Sequence, residues 1–291
     1  MKKMLAIALV LILALALCAC GNNSTAPGTT PTNAPTSAPT SGSNIAPVTP
    51  DPNAPSTSSD LPLLMDTVVI GELHMSTNAA FPPYEMVADD GSFEGIDVEI
   101  AGAIADKLGL ELVVEDMGFD AALLAAQNGQ TDIVMAGVTV SDERLEVMDF
   151  SDTYANGVQV IIVKEDSSIA SVDDLANAQK IGTQKGTTGY QYCSDDYGED
   201  HVTAFDTGAL AVMALVNNQV DCVVIDNMPA QEYVKANPGL KILDTEYANE
   251  DYAIGTAKGN DKLLAAVNGA LALLKADGTI QSIIDRYITA G

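Results

Sequence analysis

Arg144 is the residue whose surroundings narrow the chemistry of this chain most. It stands in DIVMAGVTVSDERLEVMDFSDTY, Asp132 to Tyr154, where an apolar run (Ile133, Val134, Met135, Ala136, Val138) gives way to a polar turn and a short helix. Such a run, from Asp132 to Val138, reads as a strand buried on both faces, as in a parallel sheet. Ser141, Asp142 and Glu143 then supply a cap and an acidic first helical turn. Gly137 permits close backbone approach, and Thr139 offers a hydroxyl. Arg144 offers a planar fork that holds a carboxylate through two parallel charge-assisted hydrogen bonds. Ligands of open α/β sheets sit beyond the carboxyl ends of the strands, where these residues fall. The competing role for Arg144 is a surface ion pair.

Four other stretches place polar or aromatic groups beside the ends of strands. In Thr77 to Glu85, two prolines stiffen a loop that carries Asn78 and Phe81. Gly95-Ile96-Asp97-Val98-Glu99 reads as a helix opening whose acids favour the dipole. Gly182 to Gly189 joins a strand to a helix, so the N–H groups of its turn could receive an anion. It is not a nucleotide-phosphate loop, because Lys185 precedes Gly186 instead of following it. Val223 to Asn227 ends a hydrophobic strand in Asp226, either a cap for the next helix or a counter-ion for an ammonium. His74 and His201 lie in unrelated contexts, and neither CxxC nor HExxH occurs. We therefore expect no metal site and no cofactor.

Alternating strand and helix patterns must position these groups. Thr67 to Leu73 reads as a strand, Ile96 to Leu108 as a helix, Glu111 to Glu115 as a strand and Asp120 to Asn128 as a helix. With the Asp132 strand they make one parallel α/β unit. A second unit starts near Gly157, with strands at Gln159 to Val163, Lys180 to Thr183, Val202 to Phe205 and Asp221 to Ile225. Helices at Val172 to Ala178, Thr188 to Cys193, Thr207 to Asn217 and from Pro229 alternate with these strands. The chain closes with a strand at Tyr252 to Thr256 and helices at Asp261 to Lys275 and Thr279 to Ile288.

The beginning of the chain speaks of location. Lys2 and Lys3 precede an apolar run from Met4 to Leu17, too short for a comfortable membrane span and typical of a signal peptide over 1–19. Leu17-Cys18-Ala19-Cys20-Gly21 resembles a bacterial lipobox, which makes Cys20 the expected lipidated residue and places the protein on the extracytoplasmic face of the cell membrane. Residues 20–60 consist almost entirely of Thr, Pro, Ser, Ala, Asn and Gly, a composition that cannot bury enough surface to fold. As a leash this segment would reach roughly 40 Å as a coil and roughly 120 Å as polyproline. The chain has 13 basic against 40 acidic residues, a formal net charge of −27. That balance argues against nucleic acid or anionic lipid as a partner. Cys193 and Cys222 are left as either a disulfide or a pair of packed thiols.

Gly137-x-Thr139, the helix with Arg144, and Phe150-Ser151-x-x-Tyr154 together resemble the polar amino-acid-binding proteins that serve ABC importers. This is the family 3 type of bacterial extracellular solute-binding protein, with a type II periplasmic-binding-protein fold. The resemblance covers nearly all of residues 66 to 291. It implies a two-lobed α/β fold with an interlobe cleft, lobe 1 being 66–156 plus 254–291 and lobe 2 being 157–253. The connections near Ala155 to Gln159 and Ala248 to Ile254 would form a two-segment hinge. By position in that family, Phe81 covers the ligand side chain, Asn78 bonds its tip, and Phe119 forms a pocket wall. Gln184 lies near the side chain, Thr187 and Thr188 near the carboxylate, and Asp226 takes the ammonium. Gly137, Thr139 and Arg144 complete the set.

The function so implied is capture of a free L-amino acid and delivery to ABC permease subunits, without catalysis. Asn78 stands where basic-ligand binders often carry an acid, which points toward a polar neutral ligand such as glutamine or a sulfur amino acid. A secreted dehydratase or lyase on the same fold is the alternative from another class, with Glu85, Asp226 or the histidines as its candidate acids and bases. A ligand-sensing module is a third reading.

Overall fold

The computed structural model describes residues 65–288. The signal segment, Cys20 and the Pro/Ser/Thr segment to residue 60 lie outside the described residues. In chain order, β1 (Glu72–Thr77) leads into a small antiparallel meander of β2 (Ala80–Phe81), β3 (Glu85–Val87) and β4 (Phe93–Glu94). Next come α1 (Ile96–Leu108), β5 (Glu111–Asp116), α2 (Phe119–Gln127), β6 (Ile133–Val134), α3 (Asp142–Val147) and β7 (Met148–Phe150). The long β8 (Ala155–Lys164) opens the second stretch, followed by a 3-10 turn (Val172–Asn177), β9 (Ile181–Gln184), α4 (Thr188–Tyr197) and β10 (Val202–Phe205). Then α5 (Gly208–Val216), β11 (Cys222–Asp226), α6 (Asn227–Ala236), β12 (Leu240–Ile242) and β13 (Ala248–Tyr252) lead to β14 (Gly255–Ala257), α7 (Asp261–Ala276) and α8 (Thr279–Tyr287).

Two sheets organise these elements into two lobes. The first runs β5-β1-β6-β14-β7; the second runs β10-β9-β11-β8-β12, with β13 also paired to β8. Both are mixed, although the strands of the expected first unit, β1, β5 and β6, do run parallel to one another. Within the first, β14 lies antiparallel to β6 and β7, and within the second, β8 is antiparallel to β11, β12 and β13. The reversed strands, β8 and β14, are those with which the chain enters each sheet as it crosses between them. The expected single strand from Tyr252 to Thr256 is in fact the end of β13 and the start of β14, split where the backbone changes sheets at Ala253 and Ile254.

Local chemistry explains the other departures. The first strand begins at Glu72, not Thr67: Val68, Val69 and Ile70 are exposed, Glu72 N–H bonds back to Val69 O at 3.1 Å, and Gly71 turns the chain at φ +89°. Leu73 and Met75 alternate into the core instead. Only Ile133 and Val134 of the Asp132 run form ladder pairs, because Gly137 (φ +55°) bends the backbone away from the sheet. The expected helix at Val172 is a 3-10 turn, closed by a reciprocal capping box between Ser171 and Asp174.

Burial follows the strand period. In the second sheet Val160 and Ile162, with Val223 and Ile225, face one apolar layer, while Ile161 and Val163, with Cys222 and Val224, face another. The first lobe has its main core around Leu73, Met75, Ile100, Ile104, Val267 and Leu271.

Cys193 and Cys222 are fully buried in the same apolar layer as free thiols. Burial raises both thiol pKa values, that of Cys193 to about 12. An aromatic disulfide reagent added to the native protein should therefore label neither, and after unfolding in guanidinium it should label both. A count of zero after unfolding would mean that the two are bridged.

Candidate functional site

The carboxyl ends of both sheets converge on one cavity with about 460 Å³ of empty space, open mouth included. Every residue singled out from the sequence lines it. Asn78, Phe81, Phe119, Gly137, Thr139 and Arg144 come from the first lobe; Gln184, Thr187, Thr188 and Asp226 come from the second.

Arg144 enters from α3, whose N-cap Ser141 accepts the Arg144 N–H at 3.3 Å. Its guanidinium lies over the Phe119 ring at 5.5 Å from the centroid. Nη1 donates to Thr139 O at 2.8 Å, and Nη2 reaches across the cavity to Gly186 O at 3.3 Å. Among the described residues no carboxylate stands within ion-pair distance of it. Burial lowers its pKa, and Glu250 is the largest opposing charge, yet a guanidinium stays protonated through any ordinary pH. The surface ion pair that competed for this residue does not form. A half-buried cation keeps unused N–H donors facing the cavity.

Asp226 plays the capping role its sequence position allowed and also faces the cavity. As the N-cap of α6 it accepts the Met228 N–H on Oδ1 at 3.0 Å; on Oδ2 it accepts the Val158 N–H at 3.0 Å and the Tyr252 hydroxyl at 2.8 Å. It is 1% exposed and still lines the cavity. Burial raises its pKa to about 6, against the lowering effect of the Tyr252, Met228 and Val158 hydrogen bonds. Gly157 makes this cluster possible: a Cβ there would lie 2.5 Å from the Tyr252 oxygen and 2.8 Å from Asp226 Oδ2.

The amides of Asn78 and Gln184 meet across the cleft, Gln184 Nε2 donating to Asn78 Oδ1 at 2.9 Å, while Asn78 Nδ2 donates to Met117 O at 2.9 Å. Phe81 packs against the cores of both lobes. Thr187 caps α4, accepting the Tyr190 N–H at 3.3 Å and donating to Gln184 O at 2.8 Å, and buried Thr188 begins the helix. Around the mouth, further bonds join the lobes: Lys185 to Asp120 at 2.9 Å, Gln191 Nε2 to Glu143 at 2.9 Å, and the Tyr233 hydroxyl to Ala80 O at 2.9 Å.

Sequence reasoning missed part of the lining. Tyr252, Gln159 and Glu250 face the cavity from β13 and β8; Glu85, named from the sequence only as a candidate acid or base, lines it from β3. Gln159 left a signal, as a lone polar residue inside an apolar strand. Glu250 left none, lying in the polar stretch Asn249 to Asp251. Asp97, expected to serve the helix dipole, is instead fully buried and accepts the Gly137 N–H on Oδ2 at 2.9 Å, fixing the bend that forms the cavity floor. A Cβ on Gly137 would stand 2.9 Å from the Phe81 ring. Burial raises Asp97 to about 6. Glu85 beside it is 1% exposed and is raised well above the ordinary carboxylate range, first by burial and then by the charge of Asp97.

Residues 73–290 match the family described as bacterial extracellular solute-binding proteins, family 3. A probable histidine-binding protein of Neisseria gonorrhoeae is 33% identical over 218 residues, 73% of this chain and 81% of the relative. The L-cystine-binding protein TcyJ of Escherichia coli is 29% identical over 223 residues, covering 76% of this chain and 84% of its own length. Among solved structures, an ancestral arginine-binding protein bound to glutamine superposes with a TM-score of 0.71 at 38% identity, covering 76% of this chain and 99% of that one.

The buried acids make stability depend on pH in a definite direction. Asp97 and Asp226 at about 6, and Glu85, raised by burial, bind protons in the folded state that an unfolded carboxylate near pH 4 has already released, so stability falls as pH rises through that window. His74, raised chiefly by its hydrogen bond to Glu115, acts in the same direction: its contribution is full below about 6.5 and is lost as pH rises. Asp149 and Asp174, whose pKa values are lowered, contribute stability that is lost only at more acidic pH. Thermal unfolding should thus occur a few degrees higher at pH 5 than at pH 7.5, and Asp97→Asn should flatten the profile. A profile rising toward pH 7.5 would refute this assignment of buried charge.

Proposed function

Because the chain belongs to the bacterial extracellular solute-binding proteins of family 3, we propose that it captures a free L-amino acid between its lobes and delivers it to the transmembrane subunits of an ABC importer. The observation that carries this is Arg144, a half-buried cation with donors to spare, facing Asp226 across one cavity. The ligand carboxylate binds Arg144 with Thr139, Thr187 and Thr188 around it, and its ammonium binds on the Asp226 side. Phe81 and Phe119 wall the side chain, and Gly137 admits it close to the backbone. The neutral amides of Asn78 and Gln184 support a polar neutral side chain, glutamine among the candidates; the relatives above are named for histidine, cystine and arginine. Binding without catalysis is part of the reading, since these relatives are named as binding proteins.

Lobe boundaries at 66–156 with 254–291, and 157–253, belong to the same proposal, and sheet membership supports them. The paired segments of β8 and β13 serve as the hinge, and ligand contacts made on both sides of the cleft favour the closed form. Cys20 carries the lipid, and residues 20–60 act as the leash that holds the domain at the outer face of the membrane.

A thermal-shift screen against the common amino acids, after ligand carried from expression has been stripped, tests the core of this. Millimolar ligand acting on a micromolar site stabilises by about 4 kcal/mol, or roughly 8 to 16 °C for a domain of this size. A flat screen on folded protein would remove free amino acids as the substrate class. For the ligand that binds, Arg144→Ala should weaken affinity by about 2 to 5 kcal/mol, read by calorimetry, because a buried carboxylate loses its partner. Unchanged affinity would take Arg144 out of the site.

A further inference from the structure

An ammonium brings three N–H donors, and Asp226 alone is poorly supplied to receive them. Its Oδ2 already accepts from Val158 N–H and the Tyr252 hydroxyl, and its Oδ1 from Met228 N–H. A carboxylate has about four lone-pair sites, which leaves one. Two further acceptors lie on the same face of the same sheet. Gln159 stands directly opposite Asp226 in the β11–β8 ladder, and Glu250 stands opposite Gly157 in the β8–β13 ladder, two residues along β8 from Gln159. Side chains two apart on a strand share a face, so Asp226, Gln159 and Glu250 all point the same way.

The state of these two side chains is the telling feature. Both are 5% exposed, and both line the cavity. Gln159 Nε2 donates to Glu250 Oε2 at 2.9 Å, which fixes the two relative to each other. Gln159 Oε1 and Glu250 Oε1 are then left buried without a donor from the protein. Orphaned acceptors of this kind are uncommon, because each forfeits the hydration it had in the unfolded chain. Glycines let this cluster pack closely: a Cβ at Gly189 would lie 2.8 Å from Gln159 Oε1, and one at Gly157 would meet Tyr252 and Asp226 Oδ2. Glu250 is also the charge that acts most strongly on Arg144, which sets this corner of the cavity beside the carboxylate-binding fork, as the two charged groups on one α-carbon require.

We propose that Glu250 and Gln159 complete, with Asp226, a three-acceptor socket for the ligand's α-ammonium. The proposal rests on the amino-acid reading above and names binding residues for that same site. Its substrate class is an α-amino acid with a free, protonated amino group; N-acylated or deaminated acids lack the donors it needs. Because Gln159 and Glu250 sit on β8 and β13, the ammonium touches both strands by which the chain passes between the lobes.

The competing account is that Gln159 and Glu250 merely clasp β8 to β13. Calorimetric titration separates the two. The purified protein, Glu250→Gln and Gln159→Met are each titrated with L-glutamine, L-arginine, L-histidine and L-cystine, and with the deaminated counterpart of every one that binds. In the socket account, Glu250→Gln weakens the amino acid by about 10- to 150-fold and its deaminated counterpart by less than about 3-fold, since only the former loses a charge-assisted bond. Equal losses for both compounds would assign the pair to structure alone and overturn the proposal. Should Glu250→Gln fail to unfold cooperatively, Gln159→Met, which keeps the length and removes the orphan acceptor, decides by the same ratio. If the unaltered protein binds none of the four ligands and no amino acid in the wider screen, the functional reading itself fails, and the socket with it.

Discussion

The pairing of β8 with β13 is the constraint on which the rest of the molecule depends. These strands carry the chain into and out of the second sheet, and five residues of each are in register, from Ala155 opposite Tyr252 to Gln159 opposite Ala248. Along its other edge the β13 segment bridges to Thr139 and bonds to Val138 O and Val140 N–H, so the floor of the first lobe is stitched to the same ribbon. Register in such a ladder decides which side chains face the cavity, and a slip of β13 by one residue would turn Glu250 and Tyr252 away from it together. Gly157 at the centre of the ribbon leaves room for Tyr252 to reach Asp226.

Electrostatics adds a second layer to this frame. The chain is strongly acidic, yet among the described residues no carboxylate is in direct contact with the cation of the cavity, and buried carboxyls differ from surface ones in how tightly they hold protons. Depth sets those levels. Glu85 and Asp97 stack beneath the bend at Gly137 and hold protons more tightly than surface acids do, while exposed acids such as Asp149, tied to Gly259 N–H and Lys258, let them go more readily. Burial and the like charge of Asp97 both favour the protonated form of Glu85.

Much of the site was legible in the sequence because binding loops follow strand ends, and strand ends announce themselves where apolar runs stop. Gly137, Thr139, Arg144 and Asp226 were found in that way. Asn78, Phe81, Phe119, Gln184, Thr187 and Thr188 needed the family resemblance to single them out, since a loop of Thr, Asn and Phe has many ordinary uses. The residues that escaped lie on the crossing strands. Glu250 and Tyr252 sit in a polar stretch whose ladder partner is nearly a hundred residues away, and no local period encodes that pairing. Asp97 was read correctly as part of a helix opening, but its burial could not be read, because it is imposed by the distant Gly137 bend. The exposed Val68-Val69-Ile70 run misled in the opposite sense, apolar composition without any neighbour to bury it.

The contacts that join the lobes without touching the cavity have a thermodynamic consequence of their own. The Tyr233 hydroxyl on Ala80 O, Lys185 on Asp120 and Gln191 on Glu143 form wherever the lobes approach, whatever lies between them. In a protein that binds by closing, the apparent dissociation constant is the intrinsic one divided by the fraction of molecules already in the competent form. Such contacts raise that fraction alike for every ligand. Affinity and selectivity are thus written in different places on this molecule: the rim sets how tightly everything is held, and the cavity wall sets the order of preference.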